Sequence, residues 1–259
     1  MDKKILSQDG TPLAYESTGR GPVVILVSGA MSTGATVAPL AGPLSRDFTV
    51  VVHDRRGRGE SGDTQPYEVR REVEDLAALI DAVGGEASLY GVSSGGALVL
   101  RAVAGGLPVR RAAVYEVPYA TDEDGVRQRR EYTARLTGAL ALGRRGDAVE
   151  HFLRLTGLAE EMIRGARQSP MWAAMEAIAP TLAYDDACMG DGGVPRETLA
   201  ALTVPVLSLA GGASPAWMRE AAAAVADAAA GGTYRTLEGQ THMVDPNVLA
   251  PVLAEFFAP

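Results

Sequence analysis

A chain of 259 residues, 47% apolar and 22% charged, has the length and composition for one sizeable domain with a full core. Its net charge of −8, with no basic stripe interleaved with aromatics, argues against nucleic acid as a partner. The single Cys188 excludes an intramolecular disulfide, residues 1–20 hold no apolar signal-peptide core, and no apolar run approaches a membrane span, so the expectation is a soluble cytoplasmic protein.

In chain order, Lys3–Ser7 and Leu13–Glu16 read as short strands around the Asp9-Gly10 turn. The β-branched run Val23–Val27 reads as a strand buried on both faces of a parallel sheet. A loop of small residues, Ser28 to Gly34, follows, then a helical stretch to about Leu44. The strand Phe48–His53 runs into Asp54-Arg-Arg-Gly-Arg-Gly-Glu-Ser-Gly62. Val69 to Val83 has helical spacing, with Val73, Leu76, Ala77, Ile80 and Val83 expected inward and the acidic residues outward. A strand at Ala87–Tyr90, a helix from Ser94 to about Gly105 and a strand at Val109–Tyr115 come next. From Tyr119 the strand–helix alternation stops, and Arg127–Leu142, Asp147–Gly157 and Glu160–Ala179 read as helices. That stretch is too long for a connection and too short for a separate core, so residues 119–198 are expected to form a helical cap inserted into a main domain of residues 1–118 and 199–259. The sheet resumes at Val204–Ala210, followed by a helix at Trp217–Ala230, a strand at Thr233–Leu237 and a last helix at Val248–Phe257. The expected fold is α/β, a mostly parallel central sheet with helices on both faces.

The segment with the sharpest chemical meaning is Gly91-Val92-Ser93-Ser94-Gly95, which fits G-x-S-x-G between a strand and a helix. A serine at such a turn sits in strained backbone, and its neighbours two residues away must lack bulk. The helix that follows directs free N–H groups toward an anion formed there. Ser93 needs a base, because a free hydroxyl is a poor nucleophile at neutral pH. Of the three histidines, His53 at a strand end reads as structural and His151 as a surface residue of the cap. His242, in the loop after the last strand, is the candidate base.

Together the strand–elbow–helix, the Ser28-Gly29 loop, the Asp54-to-Ser61 segment and the His242 loop resemble the α/β-hydrolase superfamily. The resemblance covers both ends of the chain and leaves out the cap. It implies that fold and, with it, a catalytic acid after the strand at Val204–Ala210; here Ser214 stands where the family's aspartate would fall. Glu116 is the candidate acid, because it follows the strand next after the elbow helix and so emerges at the same carboxyl edge of the sheet as Ser93. The alternative for Glu116 is an ion pair with an arginine of the cap. The fungal zearalenone lactonases carry a similar elbow, a Glu-x-Pro like Glu116-Val-Pro118 and a turn like Gly212-Ala-Ser-Pro215. That resemblance implies a triad of Ser93, His242 and Glu116.

The oxyanion hole is expected from the backbone N–H of Ser94 and a second N–H from Ala30, with Gly29 the alternative. Met31, Trp172, Met175 and Trp217 are candidates for an apolar pocket, although Met and Trp at such positions also serve as plain core. Arg55, Arg56 and Arg58 are expected in ion pairs that anchor their loop more than in binding a substrate carboxylate. No metal-ligand spacing or phosphate-binding glycine loop is found, so no cofactor or metal is expected. The reading is a serine hydrolase acting on a carboxylic ester or lactone of an apolar small molecule, with a homodimer left open. Two alternatives stay beside it. One is C–C or amide hydrolysis, or cyclase or lyase chemistry, on the same scaffold; the other is a non-catalytic ligand-binding member of the fold.

Overall fold

The computed structural model describes residues 1–258. Eight strands form one sheet: β1 (Lys3–Leu6), β2 (Pro12–Gly19), β3 (Val23–Val27), β4 (Thr49–His53), β5 (Ala87–Val92), β6 (Val109–Tyr115), β7 (Val206–Gly211) and β8 (Gly232–Leu237). Their spatial order is β1-β2-β4-β3-β5-β6-β7-β8. Pairing is antiparallel for β1–β2 and β2–β4 and parallel from β4 onward.

The inner parallel strands β3, β4, β5 and β7 are buried almost throughout because both faces of the sheet are covered there, whereas the edge strand β8 is largely exposed. Alternation along each strand divides their side chains between two cores. One face carries Ile25, Val27, Val51, Leu89 and Val114 against helices α2 (Val69–Ala82), α3 (Ser94–Ala104) and α10 (Ala216–Ala228). The other carries Val24, Leu26, Val50, Tyr90 and Leu209 against α1 (Ala41–Leu44) and α11 (Pro246–Phe257). Before α1, the stretch expected as a helix holds only short 3-10 turns, because Pro39, Gly42 and Pro43 disrupt a longer one.

Between β6 and β7 lie α4 (Glu123–Ala141), α5 (Arg145–Leu155), α6 (Glu160–Arg167), α7 (Trp172–Ile178), α8 (Leu182–Met189) and α9 (Arg196–Ala200). The helix expected over Glu160–Ala179 is split at Ser169-Pro170, where proline cannot continue it. The two ends of this insertion pinch together at a bridge between Ala120 and Gly193. Tyr132, Leu136, Val149, Trp172 and Leu182 pack as a separate apolar cluster. Cys188 and Met189 of α8, and Leu199 of α9, instead join the core beneath the sheet. The insertion is therefore seated on the domain by its last helices.

Buried charge completes that seat. Arg55, Arg56 and Arg58, after β4, are each almost fully buried. Glu72 and Asp75, expected on the outer face of α2, are buried as well: Arg55 takes Glu72 in two hydrogen bonds of 2.7 and 2.8 Å, and Arg56 takes Asp75 at 2.7 and 2.6 Å. The correction has a plain cause, since helical spacing alone does not reveal cationic partners brought in by the neighbouring loop. Burial opposes ionisation of Glu72, but Arg55 and Arg58 outweigh it and hold its pKa down to about 2. Asp185, on α8, receives Arg55 Nη1 at 2.8 Å and Arg58 Nη2 at 2.8 Å to each oxygen.

Asp185→Ala is expected to lower the unfolding free energy by about 3–5 kcal/mol, read as a drop in urea midpoint, because Arg58 is left buried without a carboxylate. His53 predicts a second, pH-dependent effect. Burial, followed by repulsion from Arg55, lowers its pKa to about 4. The unfolded chain then binds a proton near pH 6.5 that the folded one refuses, so stability falls as pH drops from about 6.5 toward 4, by about 3 kcal/mol. Urea titrations across that range are expected to show the loss in wild type and a flatter profile in His53→Gln.

Candidate active site

The carboxyl ends of β5, β6, β7 and β8 lie side by side, and each contributes to one site. Ser93 directly follows β5 with φ 55° and ψ −127°, a left-handed conformation strained for a residue with a Cβ. The strain is locked by its neighbours. Its N–H donates to the Tyr115 carbonyl at 2.9 Å, and its carbonyl accepts the Gly96 N–H at 2.9 Å. The flanking glycines are dictated by packing: a Cβ on Gly91 would lie 2.5 Å from the Gly95 carbonyl oxygen, and one on Gly95 would lie 2.5 Å from the carbonyls of Val27 and Ser28.

Glu116 follows β6 in the next rank, also left-handed at φ 47°, and is fully buried. Its N–H donates to the Leu209 carbonyl at 2.9 Å. One carboxylate oxygen accepts the Gly211 N–H at 2.8 Å, and the other meets His242 Nδ1 at 2.7 Å. The structure thus joins Glu116 to His242 rather than to a cap arginine. Facing a carboxylate, Nδ1 carries the proton and Nε2 is left as the acceptor. His242 is 40% exposed, so its ring bridges a buried acid and open space. Its loop is fixed from below. Tyr115 Oη donates to the Thr241 carbonyl at 2.6 Å, and the Ala213 N–H donates to the Gln240 carbonyl at 2.8 Å. Gly211 lets that loop close in, since a Cβ there would lie 2.3 Å from the Gln240 oxygen. Ser214 is buried, and its hydroxyl has no partner among the described residues.

Ser94 opens α3, so its N–H has no carbonyl one turn back to bond. Its hydroxyl is turned away, donating to Asp185 at 2.8 Å. Across the cleft, the Gly29 carbonyl accepts Arg58 Nη1 at 2.6 Å and the Ser32 hydroxyl at 2.7 Å. In a trans peptide the N–H points opposite to the carbonyl, so this anchoring turns the Ala30 N–H away from Arg58. A Cβ on Gly29 would sit 3.1 Å from that of Ser93, which shows how closely the loop approaches.

These groups border one cavity of about 1080 Å³, lined by Ser93, Ser94, Gly29, Ala30 and His242. Met31, with φ 53°, and the half-exposed Trp217 also line it. Trp172 and Met175 do not: α7 presents them to α5, where they pack in the insertion's own apolar cluster, and the pocket expectation is corrected for both. Residues that sequence reasoning passed over include Asp185 and the wall residues Tyr119, Arg129, Tyr132 and Asp186. A usable signal was present in α8, where two adjacent aspartates interrupt the otherwise apolar Leu182-Ala-Tyr-Asp-Asp-Ala-Cys-Met189. Among the described residues no cluster of three or more His, Cys, Asp or Glu is placed to hold a metal, and no helix is long and apolar enough to cross a membrane.

Comparison with known proteins agrees with this architecture. A crystal structure of an alpha/beta hydrolase from Sphaerobacter thermophilus is 51% identical, covers 99% of this chain and 100% of its own, and superposes with a TM-score of 0.90. The enol-lactonase from Burkholderia xenovorans, 22% identical over 98% of this chain and 99% of its own with a TM-score of 0.68, shares the fold. Polyketide synthase ThaQ of Burkholderia thailandensis is 36% identical over 86 residues, which are 32% of this chain; the chain spans 4% of that protein's length. The family model described as "Alpha/beta hydrolase family" matches residues 24–252, from β3 to α11, and so takes in the elbow, the Glu116–His242 pair and the insertion alike. The chain belongs to the alpha/beta hydrolase family.

Proposed function

We propose that the protein is a serine hydrolase that opens a carboxylic ester or lactone of a largely apolar small molecule through an acyl-enzyme on Ser93. The observation that carries this reading is the 2.7 Å bond between buried Glu116 and His242 Nδ1, at the sheet edge where Ser93 stands in strained backbone. Glu116 sets the tautomer and balances the imidazolium that forms. His242 Nε2 then takes the Ser93 proton as Oγ attacks the carbonyl carbon. The oxyanion is received by the N–H groups of Ser94 and Ala30, whose peptides are braced through Asp185 and Arg58. The imidazolium returns its proton to the leaving alkoxide. Water, activated by the same histidine, releases the acid. The enol-lactonase neighbour supports the substrate class through its fold.

The insertion acts as a cap in this reading, because it supplies one wall of the cavity, and the cytoplasm suits its free, buried Cys188 thiol. The test is turnover of p-nitrophenyl esters and a macrolactone by wild type, Ser93→Ala and Glu116→Gln, with circular dichroism to confirm folding. Both variants are expected to lose on the order of 10⁴-fold in kcat. A Glu116→Gln enzyme close to wild type would move the acid elsewhere. An inert wild type would favour lyase or ligand-binding roles on the same scaffold.

A further inference from the structure

One wall of the cavity holds charge that the chemistry at Ser93 does not use. Asp186, next to Asp185 on α8, is 8% exposed and lines the cavity, yet its Oδ1 accepts no hydrogen bond among the described residues, and Thr133 is the one hydroxyl that favours its charge. Its Oδ1 is sealed off 3.9 Å from Arg129 Nη1, a distance too long for a hydrogen bond. Arg129, on α4, is itself mostly buried on the same wall; it reaches the Pro118 carbonyl at 3.3 Å and lies 5.7 Å from the Tyr132 ring centre. Burial pushes the Asp186 carboxyl up and the Arg129 guanidinium down, because the Thr133 hydrogen bond and the mutual attraction of the pair do not offset the loss of water. Leaving a buried carboxylate only partly satisfied costs stability, and such groups persist where they have a task.

We infer that Arg129 and Asp186 form a polar subsite that binds a neutral hydroxyl carried by the substrate outside the bond being cleaved. A hydroxyl both donates and accepts, so it gives its proton to Asp186 and receives one from Arg129. A charged tail fits poorly. An anion would meet Asp186 and Asp185 on this wall, and a cation would meet Arg129. The cavity lining also includes the apolar Trp217, Met218 and Met243 from the segments after β7 and β8. The substrate implied is an amphipathic hydroxylated ester or hydroxylated lactone. This inference rests on the hydrolase reading for the word ester and on the cavity alone for the hydroxyl.

The test uses methyl esters of six- to ten-carbon acids in three forms: plain, with a terminal hydroxyl, and with a terminal carboxylate. Turnover is measured by product formation, and binding to the wild-type protein by calorimetry. At the chain length that spans the cavity, the hydroxylated ester is expected to exceed both others at least tenfold in kcat/KM and in affinity. That preference is expected to fall to about one in Asp186→Leu and in Arg129→Met. If either variant fails to fold, the wild-type ranking of the three forms decides. Equal treatment of plain and hydroxylated esters, a preference for the carboxylate, or no binding of any form overturns the inference. Binding that prefers the hydroxyl without turnover sinks the hydrolase reading and leaves the subsite standing.

Discussion

Asp185 gathers two buried guanidiniums and the Ser94 hydroxyl on one carboxylate, and much of the site hangs from that node. Through Arg58 it reaches the Gly29 carbonyl and through the Ser94 hydroxyl it reaches the start of α3, so the Gly29 loop and the first turn of α3 share one brace. Because Asp185 lies on α8, the insertion is tied to the domain at the same point. Buried ion pairs of this kind are poor sources of net stability, since desolvation offsets most of their attraction. Their directionality is what matters here. A guanidinium that must satisfy a carboxylate and a carbonyl together has little freedom to let either drift.

A second constraint is the close spacing of β5, β6 and β7. Ser93 and Glu116 each follow their strand in left-handed backbone, and each donates its N–H to the last stretch of the adjacent strand. The parallel register therefore sets the distance between the two positions, and loop conformation has little to add. Consecutive residues of β6 then act on the same loop. Tyr115 holds the Thr241 carbonyl, and Glu116 holds the His242 ring. This arrangement leaves the turn after β7 without a carboxylate, with buried Ser214 at its end.

Much of this was legible in the chain. Continuous apolar runs such as β3 and β7 announce strands buried on both faces, and both lie inside the parallel part of the sheet. The glycines at 91 and 95 mark a close backbone approach, which packing against Gly95 and Val27–Ser28 confirms. Glu116 stands out because it ends a strand beside the elbow. Less legible were Glu72 and Asp75, which look like solvent-facing helix residues until Arg55 and Arg56 fold over them. Trp172 and Met175 misled for the opposite reason. An apolar residue in the insertion can face the cavity or its own cluster, and the choice lies with the packing of α7 on α5.

By itself, then, the sequence determined the strands, the elbow, the histidine loop and the fold they build, because those depend on local spacing and on which residues tolerate a tight turn. It also singled out Glu116 as the carboxylate for His242, whereas tertiary structure alone decided which acids neutralise the buried arginines and which apolar side chains of the insertion turn away from the cavity. Each of those is a contact between segments far apart in the chain, such as Arg55 with Asp185. No periodicity records such a pairing, because it is fixed by sheet order and by how the insertion is seated.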